Sequence, residues 1–244
     1  MSYDFIVLSP HFDDAVLSCS GLILQQKSFN KSILILTVFG GIPDKPYSET
    51  AQYFHSRWGL DENPVQIRRS EDQLACKLLG VDFLHLDFLD CIYRFDKNGN
   101  PLINSHDDLF KVKKNSEPDL LMKLEIKLKE LCDSQKVIIP IGLGSHIDHL
   151  LCREAAESAN LDCFAYYEEY PYWAREDRDH KIIKPIEFSR QPLNLDNNEC
   201  TRKKSAINCY QHPIKSLFKA TKIEESLEPY AKKVCMENYW LRCV

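Results

Sequence analysis

Two short segments of the sequence combine histidine and aspartate in a spacing that suits a metal ion. The segments are SPHFDDAV and GSHIDHLL. Their histidines and aspartates are, in chain order, His11, Asp13, Asp14, His146, Asp148 and His149. Two imidazoles and one carboxylate form a known ligand set for catalytic zinc, and they leave one position open for water. We therefore predict one metal site, with His11, Asp14 and His149 as its ligands.

The remaining groups of the two segments could act on a substrate. Zinc lowers the pKa of a bound water to about 7. Asp13 lies next to a ligand without being one, so it is the candidate general base. His146 would face the other side of the scissile carbon, where it could protonate the leaving group or stabilise an oxyanion.

A purely structural role is the alternative for both segments. Asp13 or Asp14 could cap the helix that follows it, and Ser145 could cap the second helix. A histidine considered alone is also more often a hydrogen-bonded structural residue than a metal ligand. Both segments would have to be structural at once, however, and both follow predicted strands at the same edge of one sheet.

The elements that must position these residues alternate between strands and helices. Five apolar runs predict buried strands: DFIVLSP, KSILILTVFGG, DFLHLDFL, KVIIPIGLG and DCFAYYEEY. Helical patterns separate most of them, which predicts a mostly parallel sheet in a three-layer α/β sandwich and one domain over residues 1–244. Ligands of such sheets bind outside the carboxyl ends of the strands, where both segments lie.

Other stretches give weaker structural signals. The helix QIRRSEDQLACKLLGV places four apolar residues on one stripe and ends at Gly80; the four are Leu74, Ala75, Leu78 and Leu79. Residues 42–63 predict a long loop with some helix, and residues 95–117 an excursion with a turn at 98–100. In the less regular C-terminal third, CTRKKSAINCYQH is the best helix.

Composition and charge indicate which partners the protein is expected to bind and in which compartment we expect it. The chain has 244 residues, 44% of them hydrophobic, and a net charge of −5, so we expect neither nucleic-acid nor membrane binding. No apolar run approaches the roughly 20 residues of a membrane helix, and we read no signal peptide, which predicts a cytoplasmic protein. The ten cysteines are dispersed without a CxxC pair and predict reduced thiols rather than disulfides.

The motifs resemble those of the LmbE/PIG-L family of zinc-dependent N-deacetylases. SPHFDDAVLSCSGLI is similar to the first family signature, (A/P)HPDDE, and GSHIDHLLCREAA to the second, HxDH followed by a helix. Between them, RRSEDQLACKLLGV resembles a family helix, with Arg68 and Glu71 at the matching places. The resemblance covers roughly residues 4–170 in the right order. Phe12 and Ala15 depart from it, since they replace the usual proline and glutamate.

The resemblance implies a Rossmann-like fold that binds one zinc ion and hydrolyses an acetamide, usually on an amino sugar. Carried over by position, it assigns the same three ligands and makes Asp13 the general base. It also implies that His146 acts on the transition state. Asp148 would either orient a histidine or serve as a carboxylate at a helix start. Arg68 could contact substrate or simply be solvated.

Polar residues after the third and fifth strands could line a substrate pocket, or could be ordinary solvated loop residues. They are Asp87, Asp90, Tyr93, Arg94, Glu168, Glu169 and Tyr170. Cys91 lacks a dedicated base, which disfavours cysteine catalysis. Gln211 and His212 lie in a helix-like segment, where a structural role is favoured.

We therefore predict a metallohydrolase that removes a small N-acyl group, most simply acetyl, from an amino-sugar-containing metabolite. Its cofactor would be one Zn²⁺ per chain, although the ligand set also accepts Fe²⁺. The partner is a small molecule, and a homo-oligomer stays possible.

Two alternatives remain: the same site could cleave another amide or C–N bond, or the domain could bind a ligand without catalysis. A nucleotide-binding oxidoreductase is disfavoured, because the first strand–helix turn lacks GxGxxG.

Overall fold

A seven-stranded sheet with helices on both faces forms the centre of the molecule. The computed structural model describes residues 2–60, 62–111, 117–176 and 184–243. The strands are β1 Phe5–Ser9, β2 Ile33–Thr37, β3 Asp82–His85, β4 Lys136–Pro140, β5 Cys163–Tyr167, β6 Phe188–Asn194 and β7 Met236–Arg242. Their order in the sheet is β3-β2-β1-β4-β5-β7-β6. The first five strands are parallel, whereas β7 runs antiparallel to both of its neighbours.

The helices of the described ranges complete the predicted three-layer α/β sandwich. They are α1 Asp14–Ser28, α2 Glu49–Trp58, α3 Pro64–Leu79, α4 Pro118–Cys132, α5 Ile147–Ser158, α6 Asn197–Ile207 and α7 Gln211–Phe218. Within those ranges, none combines the length and apolar composition that a membrane crossing requires. The chain passes outward from β1 to β2 and β3 and then returns to β4, so the strand order reverses between β1 and β4. That reversal opens a crevice at the carboxyl ends of β1 and β4.

Strand burial follows from position in the sheet. Every residue of β1 and β2 is buried, since both strands have neighbours on each side and helices on each face. The prediction of a buried third strand was wrong: β3 is an edge strand, and its first three residues are exposed.

Helix α3 turns a different face to the core than the leucine stripe predicts. Leu74 and Leu78 are 57% and 53% exposed, which contradicts that part of the prediction. Ala75 and Leu79 are buried as predicted. The buried face also contains Arg68, Glu71 and Asp72. This face of α3 packs against α6 and α1. Gly80, in the left-handed conformation at φ +75°, ends the helix as predicted.

The C-terminal part joins the sheet more fully than the sequence indicated. Strands β6 and β7 were not predicted, and β7 hydrogen-bonds along β5. The buried Lys203 on α6 pairs with the buried Glu237 on β7 at 2.7 Å, and Glu237 accepts the Gly21 N–H of α1 at 2.8 Å. A disulfide joins Cys200 to Cys235, which corrects the expectation of reduced thiols; the other eight cysteines are free.

Candidate metal centre

The two His/Asp segments meet at the carboxyl ends of β1 and β4. Because these strands pair in parallel, the turn after β1 and the turn after β4 lie side by side. The ring centroids of His11 and His149 are 5.4 Å apart, and each lies 5.0 Å from that of His146. All three rings are nearly inaccessible to solvent. The fold thus brings together residues more than 130 positions apart.

The turn after β1 is closed by its own side chains. The Asp14 carboxylate accepts the His11 backbone N–H at 2.8 Å. The Ser9 hydroxyl donates to the His11 carbonyl and accepts the Ala15 N–H. Asp13 is the N-cap residue of α1 by position, yet its side chain makes no capping hydrogen bond. Helix capping therefore does not explain either aspartate.

One carboxylate oxygen lies at distances from two imidazole nitrogens that suit the ligands of a tetrahedral ion. Asp14 Oδ2 lies 3.3 Å from His11 Nδ1 and 3.3 Å from His149 Nε2. Zinc bonds of about 2.0–2.2 Å at a tetrahedral angle place two ligand atoms roughly 3.3 Å apart. His11, His146 and His149 also offer ring nitrogens within 4.8 Å of one another. The two distances from Asp14 Oδ2 are compatible with His11, Asp14 and His149 as ligands, and the cluster of ring nitrogens also includes His146.

A buried carboxylate fixes the orientation of His149. Glu169 lies 3.2 Å from His149 Nδ1 and accepts the backbone N–H groups of Gly142 and Leu143 at 2.7 and 2.9 Å. A carboxylate accepts hydrogen bonds, so Nδ1 carries a hydrogen; in the neutral imidazole the lone pair is then on Nε2, the nitrogen that faces Asp14. The sequence indicated Glu169 only as one of several polar residues after β5.

A second buried carboxylate holds His11 in the same manner. Asp148 is fully buried, and its Oδ2 lies 3.0 Å from His11 Nε2. Arg94 donates to Oδ1 at 2.6 Å, and the Cys91 N–H donates to Oδ2 at 3.0 Å. Arg94 and His11 hold the pKa of Asp148 well below its usual range, against the effect of burial. Of the two roles left open for Asp148, the structure shows the contact with a histidine.

Carboxylates beside His11 and His149 raise the pKa values of both imidazoles. Burial disfavours charge on His149, but Asp14 and Glu169 outweigh it and raise its pKa to about 9. Asp90, Asp14 and Asp148 similarly outweigh burial and raise the pKa of His11. The raised pKa values favour the protonated form of both imidazoles beside these carboxylates. A divalent ion would replace these protons.

Asp13 lines the same pocket and faces Arg68. Burial raises the pKa of Asp13, although Arg68, with Nη2 3.5 Å away, opposes the shift. The Arg68 guanidinium lies 4.7 Å from the ring centroid of Trp58 and 5.4 Å from that of Phe12. The departure at position 12 therefore supplies an aromatic ring that packs against this cation.

His146 forms the N-cap of α5, in place of the alternative at Ser145. Its Nδ1 accepts the Asp148 N–H at 3.2 Å. Burial, together with His149 and His11, holds its pKa well below the usual value. A neutral imidazole whose Nδ1 accepts must carry its hydrogen on Nε2.

A cavity of about 140 Å³ lies over these groups. Asp90, Arg68 and Tyr170 line it as well, but Tyr93, Arg94 and Asp148 are not among its described lining residues. Tyr93 instead contacts His55, with its hydroxyl 2.8 Å from Nε2.

The other polar candidates are engaged elsewhere. Asp87 is largely exposed and pairs with Arg69, while Glu168 pairs with Arg190. His212 pairs with Glu71, in agreement with a structural role. Cys91 is buried, and burial raises the pKa of its thiol well above its usual value, which opposes nucleophilic catalysis.

Sequence reasoning did not identify a further set of lining residues on α2, on α7 and in the excursion. They are Phe54, Trp58, Leu109, Pro213, Ser216 and Leu217. Apolar and small side chains on short helices carry no signal of a binding function, since core residues show the same types at the same spacing.

Comparison with known proteins agrees with this geometry. Residues 6–160 match the family described as "PIG-L: GlcNAc-PI de-N-acetylase". A 2'-N-acetylparomamine deacetylase from Niallia circulans is 30% identical over 234 residues, which cover 88% of this chain and 82% of the relative.

Solved structures extend the similarity over nearly the whole chain. A zinc-inhibited form of a teicoplanin deacetylase has a TM-score of 0.82 at 27% identity, covering 97% of this chain and 96% of its own. The A40926 pseudoaglycone deacetylase has a TM-score of 0.73 at 29% identity, covering 98% of this chain and 96% of its own.

Proposed function

Because this chain belongs to the PIG-L family of metal-dependent de-N-acetylases, we propose that it hydrolyses the acetamide of an N-acetylated amino sugar. The observation that supports this proposal most directly is the position of Asp14 Oδ2, which lies 3.3 Å from a ring nitrogen of His11 and 3.3 Å from one of His149. The relatives named for N-acetylparomamine and teicoplanin support the substrate class. We propose that residues 1–244 act as one domain, because β6 and β7 complete the sheet that carries the site.

We propose zinc as the ion, held by His11 Nδ1, Asp14 Oδ2 and His149 Nε2. The zinc-inhibited relative supports this identity, and ferrous iron is the alternative that the same donors accept. When bound, zinc supplies a water of lowered pKa and polarises the acetamide carbonyl. Asp148 and Glu169 keep the two imidazoles in the tautomers that this requires.

Asp13 is the proposed general base. Its carboxylate lines the cavity beside Asp14, and burial gives it a raised pKa. A carboxylate with a raised pKa takes a proton from the attacking water more effectively than an ordinary one, because its proton affinity is closer to what the reaction needs. The same proton can then pass to the departing amine nitrogen.

His146 is the proposed donor to the acetamide oxygen. Its Nδ1 is occupied by the Asp148 N–H, so the hydrogen on Nε2 is available within the cavity. A neutral N–H donor stabilises negative charge as it develops on that oxygen. Together, Asp13 and His146 would act on opposite sides of the scissile carbon.

The function is tested by acetate release together with metal analysis. The protein, purified without a histidine tag, is incubated with N-acetylglucosamine glycosides, and acetate is measured before and after chelation. Acetate release that chelation abolishes and zinc restores is the expected result. Metal binding without any acetate release would favour a non-catalytic ligand-binding domain, and release from other amides alone would indicate a different substrate class.

A further inference from the structure

The cavity over the metal centre is too small to enclose a complete glycoside. Its volume of about 140 Å³ compares with roughly 300–1,000 Å³ for pockets that hold drug-sized ligands. If the protein acts on N-acetylated amino sugars, the acetamide must enter the cavity while the group attached to the sugar extends past its wall. That wall therefore contacts the part of the substrate that differs from one conjugate to another.

Part of the wall is an apolar rim, which we define as Phe54, Trp58, Tyr172, Pro213 and Leu217. All five line the cavity. Two come from α2, two from α7, and Tyr172 from the short 3-10 turn after β5. Trp58, Tyr172 and Leu217 are half-buried, so they still present apolar surface that a ligand can cover.

A cation lies beside the rim. Arg57 of α2 reaches Ser216, another lining residue, with its Nη2 3.5 Å from the hydroxyl. Among the described lining residues, the carboxylates are Asp13, Asp14 and Asp90, and all three face the charged residues of the metal centre and Arg68. A cationic group beyond the acetamide would approach Arg57, and no described lining residue outside the metal centre offers it a carboxylate.

We propose that this rim selects amino sugars linked to an apolar or aromatic aglycone and disfavours those linked to a group carrying free amines. Burial of apolar aglycone surface against Trp58 and Leu217 favours the first class. Repulsion from Arg57, and the cost of desolvating an unpaired ammonium, oppose the second. The inference rests on the proposed function and concerns the substrate of the same site.

Three glycosides of N-acetylglucosamine test the proposal: methyl, hexyl and 6-aminohexyl. The last two are nearly equal in length and differ in a terminal charge. We expect kcat/KM for the hexyl glycoside to exceed that for the methyl glycoside by about tenfold or more, and the aminohexyl glycoside to lose that advantage. Equal rates for methyl and hexyl, or for hexyl and aminohexyl, would overturn the proposal. Acetate from none of the three would overturn the proposed function itself.

A matched pair of variants assigns the preference to the rim. Leu217→Ser should bring the hexyl-to-methyl ratio of kcat/KM close to one. Leu227→Ser is the control, because Leu227 is 96% exposed and is not among the lining residues of the cavity. An unchanged ratio in a folded Leu217→Ser protein would show that the rim does not select the aglycone.

Discussion

The floor of the pocket is built from charged side chains at the ends of β1 and β4, whereas its apolar rim is built from α2, α7 and one turn. Floor here means His11, Asp13, Asp14, His146 and His149. Most side-chain polar atoms of the floor have a protein partner within about 3.5 Å. The rim residues contribute mainly apolar surface.

The proposed roles of floor and rim separate chemistry from selectivity. Central parallel strands hold the floor, and a displacement of one charged group would leave its partner unsatisfied, which costs several kcal/mol. The rim sits on helices of ten and eight residues, where apolar substitutions change a contact surface and leave no charge unpaired. A single floor can therefore serve different substrates through different rims. Four substitutions, from the largest expected effect to the smallest, test this contrast.

Loss of a proposed ligand should have the largest effect. His149→Ala removes one of three donors and leaves Asp14 and Glu169 facing each other without the imidazole between them. We expect bound metal to fall from about one per chain to a small fraction, with loss of acetate release. Mass spectrometry of the purified protein measures the metal. His212→Ala is the control, because His212 pairs with Glu71 outside the cavity lining. Full metal content in His149→Ala would rule out the ligand set.

Removal of the proposed base should separate catalysis from metal binding. Asp13→Asn keeps the shape of the side chain but cannot take a proton, so kcat should fall by about 10²–10⁴-fold. Metal content should stay near that of the parent protein, since Asp13 is not a proposed ligand. Asp87→Asn, at an exposed carboxylate, provides the comparison. A variant with normal kcat would exclude Asp13 as the base.

Adjacent glutamates after β5 offer a sharper test of the buried partners. Glu169→Gln weakens the acceptor for His149 Nδ1, and we expect metal affinity to fall by about 10–100-fold. Glu168→Gln should leave affinity unchanged, because Glu168 pairs with Arg190 and Trp240 instead. Competition with a chromophoric chelator measures both. Equal affinities in the two variants would mean that Glu169 does not position the ligand.

The smallest effect is expected where floor and rim meet. Arg68 lies between Trp58 of the rim and Asp13 of the floor. Arg68→Lys keeps the charge but loses the planar group that packs on the two rings, so kcat/KM should fall by about three- to tenfold. Arg69→Lys, whose partners Gly40 and Asp87 lie outside the cavity lining, is the control. No change in Arg68→Lys would show that floor and rim are independent.

Much of the floor was predictable, while its supports were only partly so. Asp148 was proposed either as a histidine partner or as a carboxylate at a helix start, because it lies within a recognisable motif. Glu169 has no such signal, since it lies twenty residues after His149 and only the pairing of β4 with β5 brings it near. The leucine stripe of α3 misled for a related reason: the sequence does not say which neighbours a helix face will meet, and Arg68, Glu71 and Asp72 take the buried positions.

The sequence by itself determined the residue types of the floor and the alternation of strands and helices that carries them, because both are local patterns. Only the tertiary structure decided which nitrogen of each histidine faces Asp14, which buried groups hold them, and which helices enclose the cavity. The tertiary structure also decided the antiparallel β6–β7 pair and the Cys200–Cys235 disulfide. All of these depend on contacts between residues far apart in the chain, and the free energy of such contacts does not depend on local sequence pattern.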